Sequence, residues 1–396
     1  AALCIAVGAW YRVAAPVFFL AWTYVELLDV TNYLNHYYFV SIAAFLLVFL
    51  PAHRSFSWDV WRNPALGVEK VPRWMVGAVR LQLGIVYFFA GMAKINGDWL
   101  LRAQPLKIWL ASKTHLPLIG WAFKYGWTAY AFSWAGCIYD LAVPFLLLVR
   151  KARPYAYAAV VGFHLMTWWL FPIGIFPFVM IFGTLVFFPA EWHEKWQQRI
   201  GRIVAGAGGT FETWEGGSEA ESLSTAGIQP RGRRGSRKIL FCMLAIHFAL
   251  QVVVPFRYLF YGENLFWHEQ GFRFSWRVML MEKAGYAIFH VRDPKTGRET
   301  EVRNEDYLER NQVRMMSTQP DLILQFAHFL ASEYKKRGIA NPEVYAETYA
   351  TLNGSGSRPF TDPRVDLAKE TEGFSAKTWI LPFEPVLPEI SDGAQP

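Results

Sequence analysis

Lys94 closes the apolar run Leu83–Ile95 (LGIVYFFAGMAKI), a stretch where an ionisable side chain is costly. Placing an ammonium in hydrocarbon costs about 3 kcal/mol or more, so such residues are read by default as functional. Tyr87 precedes Lys94 by seven residues, and Arg80 precedes Tyr87 by seven. At ~3.6 residues per turn, that spacing predicts one polar stripe along a single helix. An amine in an apolar, water-poor site loses its preference for the charged form and can act as a base or form a Schiff base. The alternative is a lysine that snorkels from the end of its span to the headgroups. The turn that follows, Asn96–Gly97–Asp98–Trp99–Leu100, with its acid and its tryptophan, tilts the reading toward the base. A second pair, Asn35–His36, stands at the mouth of another apolar run in NYLNHYYF. An amide and an imidazole there can donate hydrogen bonds to a ligand carbonyl or phenolate, although a His at a membrane interface also serves as a plain interfacial residue. His164 and Asp140 lie deeper in neighbouring runs and read equally as a structural pair or as catalytic groups. Arg80 is expected to find a carboxylate or carbonyl partner and hold the stripe in register.

The elements that position these groups follow from an uneven distribution of apolar residues. They make up 53% of the 396-residue chain and collect in runs at roughly 14–30, 36–51, 74–95, 129–149, 155–171, 173–189 and 238–254. Runs of about 17–25 apolar residues are candidate membrane spans. The fold class predicted is a multi-span α-helical membrane bundle with a C-terminal α+β extracytoplasmic domain. Its parts are a bundle over 1–189, a cytoplasmic linker over 190–237, a last span over 238–254 and the extracytoplasmic domain over 255–396. The linker opens with a polar, interfacial-looking helix (Trp192–Ile203) and passes into a Gly/Ser/Glu-rich stretch, Ala205–Gly227, that cannot bury a core.

Charge sets the orientation. If the spans alternate, Arg12, the loop with Arg54, Arg62, Lys70 and Arg73, the group Arg150–Lys151–Arg153 and the cluster Arg231, Arg233, Arg234, Arg237 and Lys238 share one side. Arg102, Lys107, Lys113 and Lys124 fall on the other. The bias assigns the first group to the cytoplasm. Lys94 and His36 then come near the extracytoplasmic surface beneath the C-terminal domain, which suggests an enclosed site. Within that domain Tyr286–Val291 and Glu299–Val302 alternate about Asp293–Pro294–Lys295–Thr296–Gly297, a hairpin pattern. Asp321–Arg337 repeats at helical spacing, a second helix is expected over Pro342–Leu352, and the tail from Thr378 is Pro-rich and extended. Ala1 opens what reads as the tail of a further span with no cleavable leader before it, so an N-terminally incomplete copy is expected.

Several functions are disfavoured. The net charge of +7 is accounted for by juxtamembrane clusters, so no nucleic-acid partner is expected. Cys4, Cys137 and Cys242 each sit in apolar runs and read as small buried hydrophobes. The nine histidines lack HExxH or HxH spacing, so no metal is expected, and no nucleotide fingerprint is present.

Six segments together resemble the vitamin K-dependent γ-glutamyl carboxylases and their bacterial relatives. They are YLNHYY (33–38), RLQLGIVYFFAGMAKINGDWL (80–100), FHLMTWWLFPIGIFPFVM (163–180), GFRFSW (271–276), DPRVD (362–366) and TWILPF (378–383), in family order over nearly the whole chain. The most specific is AGxxKxxxDW around Lys94. The resemblance implies a membrane carbon–carbon lyase that uses vitamin K hydroquinone, O2 and CO2, makes the quinone epoxide and converts protein-bound glutamate to γ-carboxyglutamate. It implies Lys94 as the base and Asn35 and His36 as ligand-orienting residues. Tyr87, Arg80 and His164 are read as the cofactor-binding groups around them, and a glutamate-containing peptide and membrane lipid as partners. The segment LMEKAGYAIFHV (280–291) departs from the His-rich stretch of animal members, and the absence of cysteine beyond Cys242 rules out their interdomain disulfide. Two other readings stand beside this one: a relative that epoxidises the quinone without carboxylating a peptide, and a non-enzymatic quinone- or lipid-binding membrane protein.

Overall fold

The computed structural model of the chain describes residues 1–68, 70–205, 234–262 and 264–383. Arg231, Arg233 and all but the first residue of the expected Gly/Ser/Glu-rich stretch lie outside the described residues. The chain forms two compact units, one of residues 1–92 with 138–252 and one of residues 93–137 with 253–396.

The first unit is built mostly from helices at the apolar runs: α1 (Tyr11–Leu28), α2 (Asn35–Phe49), α3 (Arg73–Ala93), α4 (Gly126–Leu148, whose residues through Cys137 belong to the second unit), α5 (Arg153–Leu170), α6 (Phe176–Thr184), the polar α7 (Ala190–Ala205) and α8 (Arg234–Val253). Among the described residues three helical stretches can, by length and composition, cross a membrane: Arg73–Ala93, Gly126–Leu148 and Arg237–Phe260. A fourth is possible if the pair bent by 118° after Phe187 counts as one span. That bend falls at Phe188–Pro189 and turns the chain into the amphipathic α7. Proline is tolerated inside α1 (Pro16) and α4 (Pro144), as it is in membrane helices whose neighbours satisfy the freed backbone groups. Gly91 lets α3 approach α4: a Cβ there would lie 2.7 Å from Cγ and 2.9 Å from the backbone nitrogen of Leu141.

The second unit holds a four-stranded antiparallel sheet in the order β2-β1-β3-β4, with β1 Lys283–Arg292, β2 Glu299–Val302, β3 Glu343–Leu352 and β4 Arg358–Pro359. The hairpin expected around Asp293–Gly297 is present. Gly297, at φ 70°, closes the turn, and Asp293 accepts from the Lys295 amide at 2.9 Å and the Thr296 hydroxyl at 2.8 Å. The helix read from Asp321–Arg337 forms as α9 (Pro320–Lys336), burying Leu322, Ile323, Phe326, Ala327 and Leu330. Phe326 meets Phe289 of β1 edge-on at 5.0 Å.

The structure corrects three expectations. Pro342–Leu352 is not a helix; it is the central strand β3. Its Ala and Glu content suggests a helix, but Val344, Ala346, Thr348, Ala350 and Leu352 alternate with exposed or half-buried neighbours and are all buried. Period two prevails because β1 pairs along the full length of the segment, from Lys283↔Leu352 to Arg292↔Glu343. Lys94 is not on the helix of Arg80 and Tyr87, because α3 ends at Ala93 and Lys94 begins the turn that follows. Of the three free cysteines only Cys137 is buried, whereas Cys4 is half-buried and Cys242 exposed on the outer surface of α8.

Candidate functional site

In the first unit one predicted pair meets directly, with His164 against Tyr87. Its side chain is buried, and its hydroxyl lies 3.2 Å from His164 Nε2 and 3.3 Å from Thr184 Oγ1, which joins α3, α5 and the end of α6. Thr184 donates its own proton to the Met180 carbonyl at 2.7 Å, as helical threonines commonly do. Each contact keeps one proton if Tyr87 donates to Thr184 and the Nε2–H of His164 donates to Tyr87. Tyr139 closes the cluster. Its ring stands edge-on to Tyr87 at 6.1 Å and stacks on Phe163 at 4.1 Å.

His36 belongs to the same neighbourhood through one shared ring. Phe176, at the start of α6, has the His164 imidazole edge-on at 6.1 Å and the His36 imidazole tilted against it at 5.6 Å. Pro177 in the first turn of α6 presets the helical φ there, which fixes where Phe176 leaves the preceding loop. Asn35 is the first residue of α2, and its Oδ1 accepts from the Tyr33 hydroxyl at 3.2 Å.

Arg80 is oriented elsewhere. Its Nε donates to the Val186 carbonyl at 2.9 Å and its Nη2 to the Phe187 carbonyl at 3.3 Å. These carbonyls belong to the last turn beyond α6, where a helix leaves acceptors unsatisfied. Of the carboxylate or carbonyl partner expected for Arg80, the structure shows carbonyls. The sequence did not reveal a second polar cluster, centred on Gln82 two residues further along α3. There Gln82 donates to Gln251 Oε1 at 3.2 Å and lies 2.9 Å from His247 Nε2 through its own carbonyl oxygen, while Gln251 donates to the Tyr38 hydroxyl at 2.8 Å. These bonds tie α8 to α2 and α3. The signal was a glutamine inside each of two apolar runs, which carries no charge to draw the eye.

Lys94 lies in the second unit, where it is 6% exposed. Its Nζ lies 5.6 Å from the Trp99 ring centroid, within reach of a cation–π contact. Asn96 shapes this corner twice: its Nδ2 donates to the Ala93 carbonyl that ends α3, and its Oδ1 accepts from the Trp99 amide, both at 2.9 Å. Trp99 is then pinned from both sides by Ser133. The indole donates to the Ser133 carbonyl at 2.9 Å, and the Ser133 hydroxyl donates to the Trp99 carbonyl at 2.5 Å. Asp98 binds Arg102 at 2.6 Å and accepts from Asn353 Nδ2 at 2.9 Å.

The remaining resemblance segments have structural roles. In DPRVD, Asp362 grips the Arg364 guanidinium at 3.0 and 2.8 Å, which holds its carboxyl down at about 2, while Asp366 accepts from the Val344 and Ala368 amides. In the tail, the Leu381 carbonyl receives the Trp267 indole at 2.8 Å. Beside Trp267 the buried Lys283 donates to Glu269 at 2.8 Å and to the Trp267 carbonyl at 2.7 Å, with the Phe360 ring 4.4 Å from its amine. Burial pushes the Lys283 amine down and the Glu269 carboxyl up, and their mutual attraction opposes both shifts.

Two family models match the chain, with bounds that cut across the two compact units. Residues 1–192 match the model of the HTTM domain, a membrane domain. Residues 236–385 match that of the vitamin K-dependent gamma-carboxylase lumenal domain. No solved structure matches the chain. The two matches follow one another along a chain whose apolar helices precede its sheet, and they take in all six resemblance segments and every candidate site residue. The chain belongs to the vitamin K-dependent gamma-carboxylase family.

Proposed function

We propose that this protein is an integral-membrane carboxylase that couples O2-driven epoxidation of vitamin K hydroquinone to γ-carboxylation of protein glutamate. The observation that carries the reading is Lys94, an amine 6% exposed and seated against Trp99 in a chain of this family. The donor set fits the ligand class. His36, His164 and Tyr87 supply hydrogen-bonding groups, and Phe176, Phe163 and Tyr139 supply apolar rings suited to a flat aromatic head.

In this reading Asn35 and His36 orient the quinone head, Tyr87 and His164 fix the shape of its surroundings, and Arg80 holds the end of α6 in place. Lys94 Nζ takes up the proton of a ligand hydroxyl, and the apolar walls exclude water from the reacting atoms. When bound, the hydroquinone supplies the reducing equivalents for O2 and, through that reaction, the strong base a glutamate γ-proton requires, with CO2 as the second co-substrate. No side chain is basic enough for that last task, which is why the protein's own part is proton transfer, orientation and shielding.

The proposed topology sets the basic loops and the 190–237 linker in the cytoplasm, residues 1–189 and 238–254 in the membrane, and residues 255–396 on the extracytoplasmic side. The proposed partners are membrane lipid and a glutamate-containing protein. The test supplies the detergent-purified protein with reduced vitamin K, O2, labelled bicarbonate and a glutamate-containing peptide, with Lys94→Ala as control. Epoxide and label that both vanish in the variant support the proposal. Epoxide without label favours the relative that only epoxidises. Neither product, with the quinone demonstrably bound, leaves a binding protein.

A further inference from the structure

Lys94 is followed within four residues by Asp98, and Asp98 is held by a residue more than two hundred and fifty positions away. Asn353 opens the turn after β3 and donates from Nδ2 to Asp98 Oδ2 at 2.9 Å. Other atoms of Asn353 are committed to Glu282, the residue before β1: its Oδ1 accepts from the Glu282 amide at 2.9 Å and its own amide donates to the Glu282 carbonyl at 2.8 Å. Its φ of 51° lies in the left-handed region, which Asn, Asp and Gly tolerate best. A second bolt lies alongside, where the Trp109 indole donates to Glu282 Oε2 at 2.6 Å. Gly354 brings the turn against Ile108, with room for a Cβ only 3.4 Å from Ile108 Cδ1. The end of the sheet is thereby fastened to residues 98–109.

That fastening reaches Lys94 through a short rigid path. Asp98 lies in the helical turn Gly97–Leu100, whose first turn is capped by Asn96. The next residue, Trp99, is locked to Ser133 and carries the Lys94 amine over its ring. The Asn96 amide donates to the Lys94 carbonyl at 2.9 Å, so main chain and side chain of Lys94 are both referenced to this turn. We propose that Asn353 is a positioning residue for Lys94, acting through Asp98 and the Trp99 seat, so that the C-terminal sheet sets the geometry of the amine. The proposal rests on the reading of Lys94 as the base only where turnover is concerned.

The test separates the two. Asn353→Gly removes the side chain without straining the left-handed backbone, Asn353→Asp sets two carboxylates against each other, and Asp98→Asn with Asn353→Asp restores a donor–acceptor pair in reverse. In the full-length protein, the rate of Lys94 reductive methylation is followed by mass spectrometry across pH, with exposed Lys295 as internal reference. In parallel, epoxidation kcat, its pH profile and KM are measured. Each single variant should change the Lys94 labelling rate by about fivefold or more. Each should also lower kcat by about tenfold with little change in KM, the size of one hydrogen bond to a charged group. The reversed pair should return both to within about twofold of the parent, the coupling a double-mutant cycle isolates. Parental labelling and kcat in either single variant, or a reversed pair no better than the singles, overturns the proposal. If Lys94→Ala keeps full turnover, the base reading fails by itself, and the labelling arm still decides the role of Asn353.

Discussion

Two buried polar clusters in this molecule are satisfied in opposite ways. Around Tyr87, the contacts that join α3, α5 and α6 are a phenol, an imidazole and a hydroxyl, and the Gln82–Gln251–Tyr38–His247 group beside it is built from amides, a phenol and an imidazole. Under the C-terminal sheet the corresponding knot is ionic, with Lys283 and Glu269 paired at 2.8 Å and almost no exposure, and Arg273 paired with Asp321 nearby. The outer surfaces differ in the same direction. Helix α8 exposes Ile239, Phe241, Met243, Ile246, Leu250, Val252 and Val253, while among the described residues beyond 260 only Tyr286, Phe329 and Phe374 are large exposed hydrophobics. The difference follows from the solvent on each side. A region that faces lipid has no water to stabilise separated charges during assembly, so hydrogen-bonded groups of modest polarity join most of its helices, and Arg80 and Glu26 are met there by backbone carbonyls and by the Ser41 hydroxyl rather than by an opposite charge. A domain that folds against water can afford to desolvate an ion pair, provided both members arrive together.

That contrast can be broken most directly at Lys283. Lys283→Ala leaves Glu269 buried without its partner and should destabilise the C-terminal domain by about 3–5 kcal/mol. Lys283→Met with Glu269→Leu should cost far less than the single change. Chemical unfolding followed by tryptophan fluorescence reads both, and equal losses would show that the charge is not what the site must satisfy. The membrane unit should respond to volume. Gly91→Val forces side-chain atoms into Leu141 and should cost about 1–3 kcal/mol. With Cys4 and Cys242 replaced by Ser, thermal exposure of the buried Cys137 thiol reports that loss, and an unchanged midpoint would mean α3 and α4 can part freely. Next in size is Tyr87→Phe, which removes the hydroxyl but not the ring. It should cost about 1 kcal/mol by the same assay, far less than Lys283→Ala if neutral contacts are as interchangeable as the comparison holds.

The smallest effect sharpens the ionic side. Asp362 has its carboxyl held at about 2, below the ordinary 3.8, by the Arg364 guanidinium. Its native form therefore binds fewer protons than its unfolded form between those values. The stability it contributes is present above about 4 and fades as the pH falls toward 2. Hydrogen exchange of the Phe360 and Leu381 amides, which bond to Thr348 and Phe360 carbonyls, should accelerate over that window in the parent. Asp362→Asn should flatten the dependence, and a variant with the parent's profile would place the titration elsewhere.

The sequence made much of this legible. Three of the seven long apolar runs, at 74–95, 129–149 and 238–254, give helices able to cross a membrane although the first two carry Arg80 and Asp140, and an amphipathic period gives α9. Asp293–Gly297 gives the hairpin because its turn chemistry is local. Arg80 finds carbonyls, one of the two partner types expected of it, since an arginine in an apolar helix must bond to something. The strand at Glu343–Leu352 was misread because residues such as Ala346, Glu347 and Ala350 favour a helix locally, while the ladder with β1 that overrides them is remote in sequence. Lys94 was set one residue too far along α3, because a seven-residue spacing marks a face but does not say where the helix stops. The stop is made by Asn96 folding back onto the Ala93 carbonyl.

What the sequence determined by itself was therefore everything carried by composition and near neighbours: a membrane bundle, a small mixed domain after it, the candidate residues and the family. Tertiary structure alone decided which of those residues meet. Tyr87 and His164 are 77 positions apart, and Asp98 and Asn353 are 255 apart. No local preference encodes such pairs. They form because each buried polar group must find a partner wherever the packing of apolar surfaces brings one within reach.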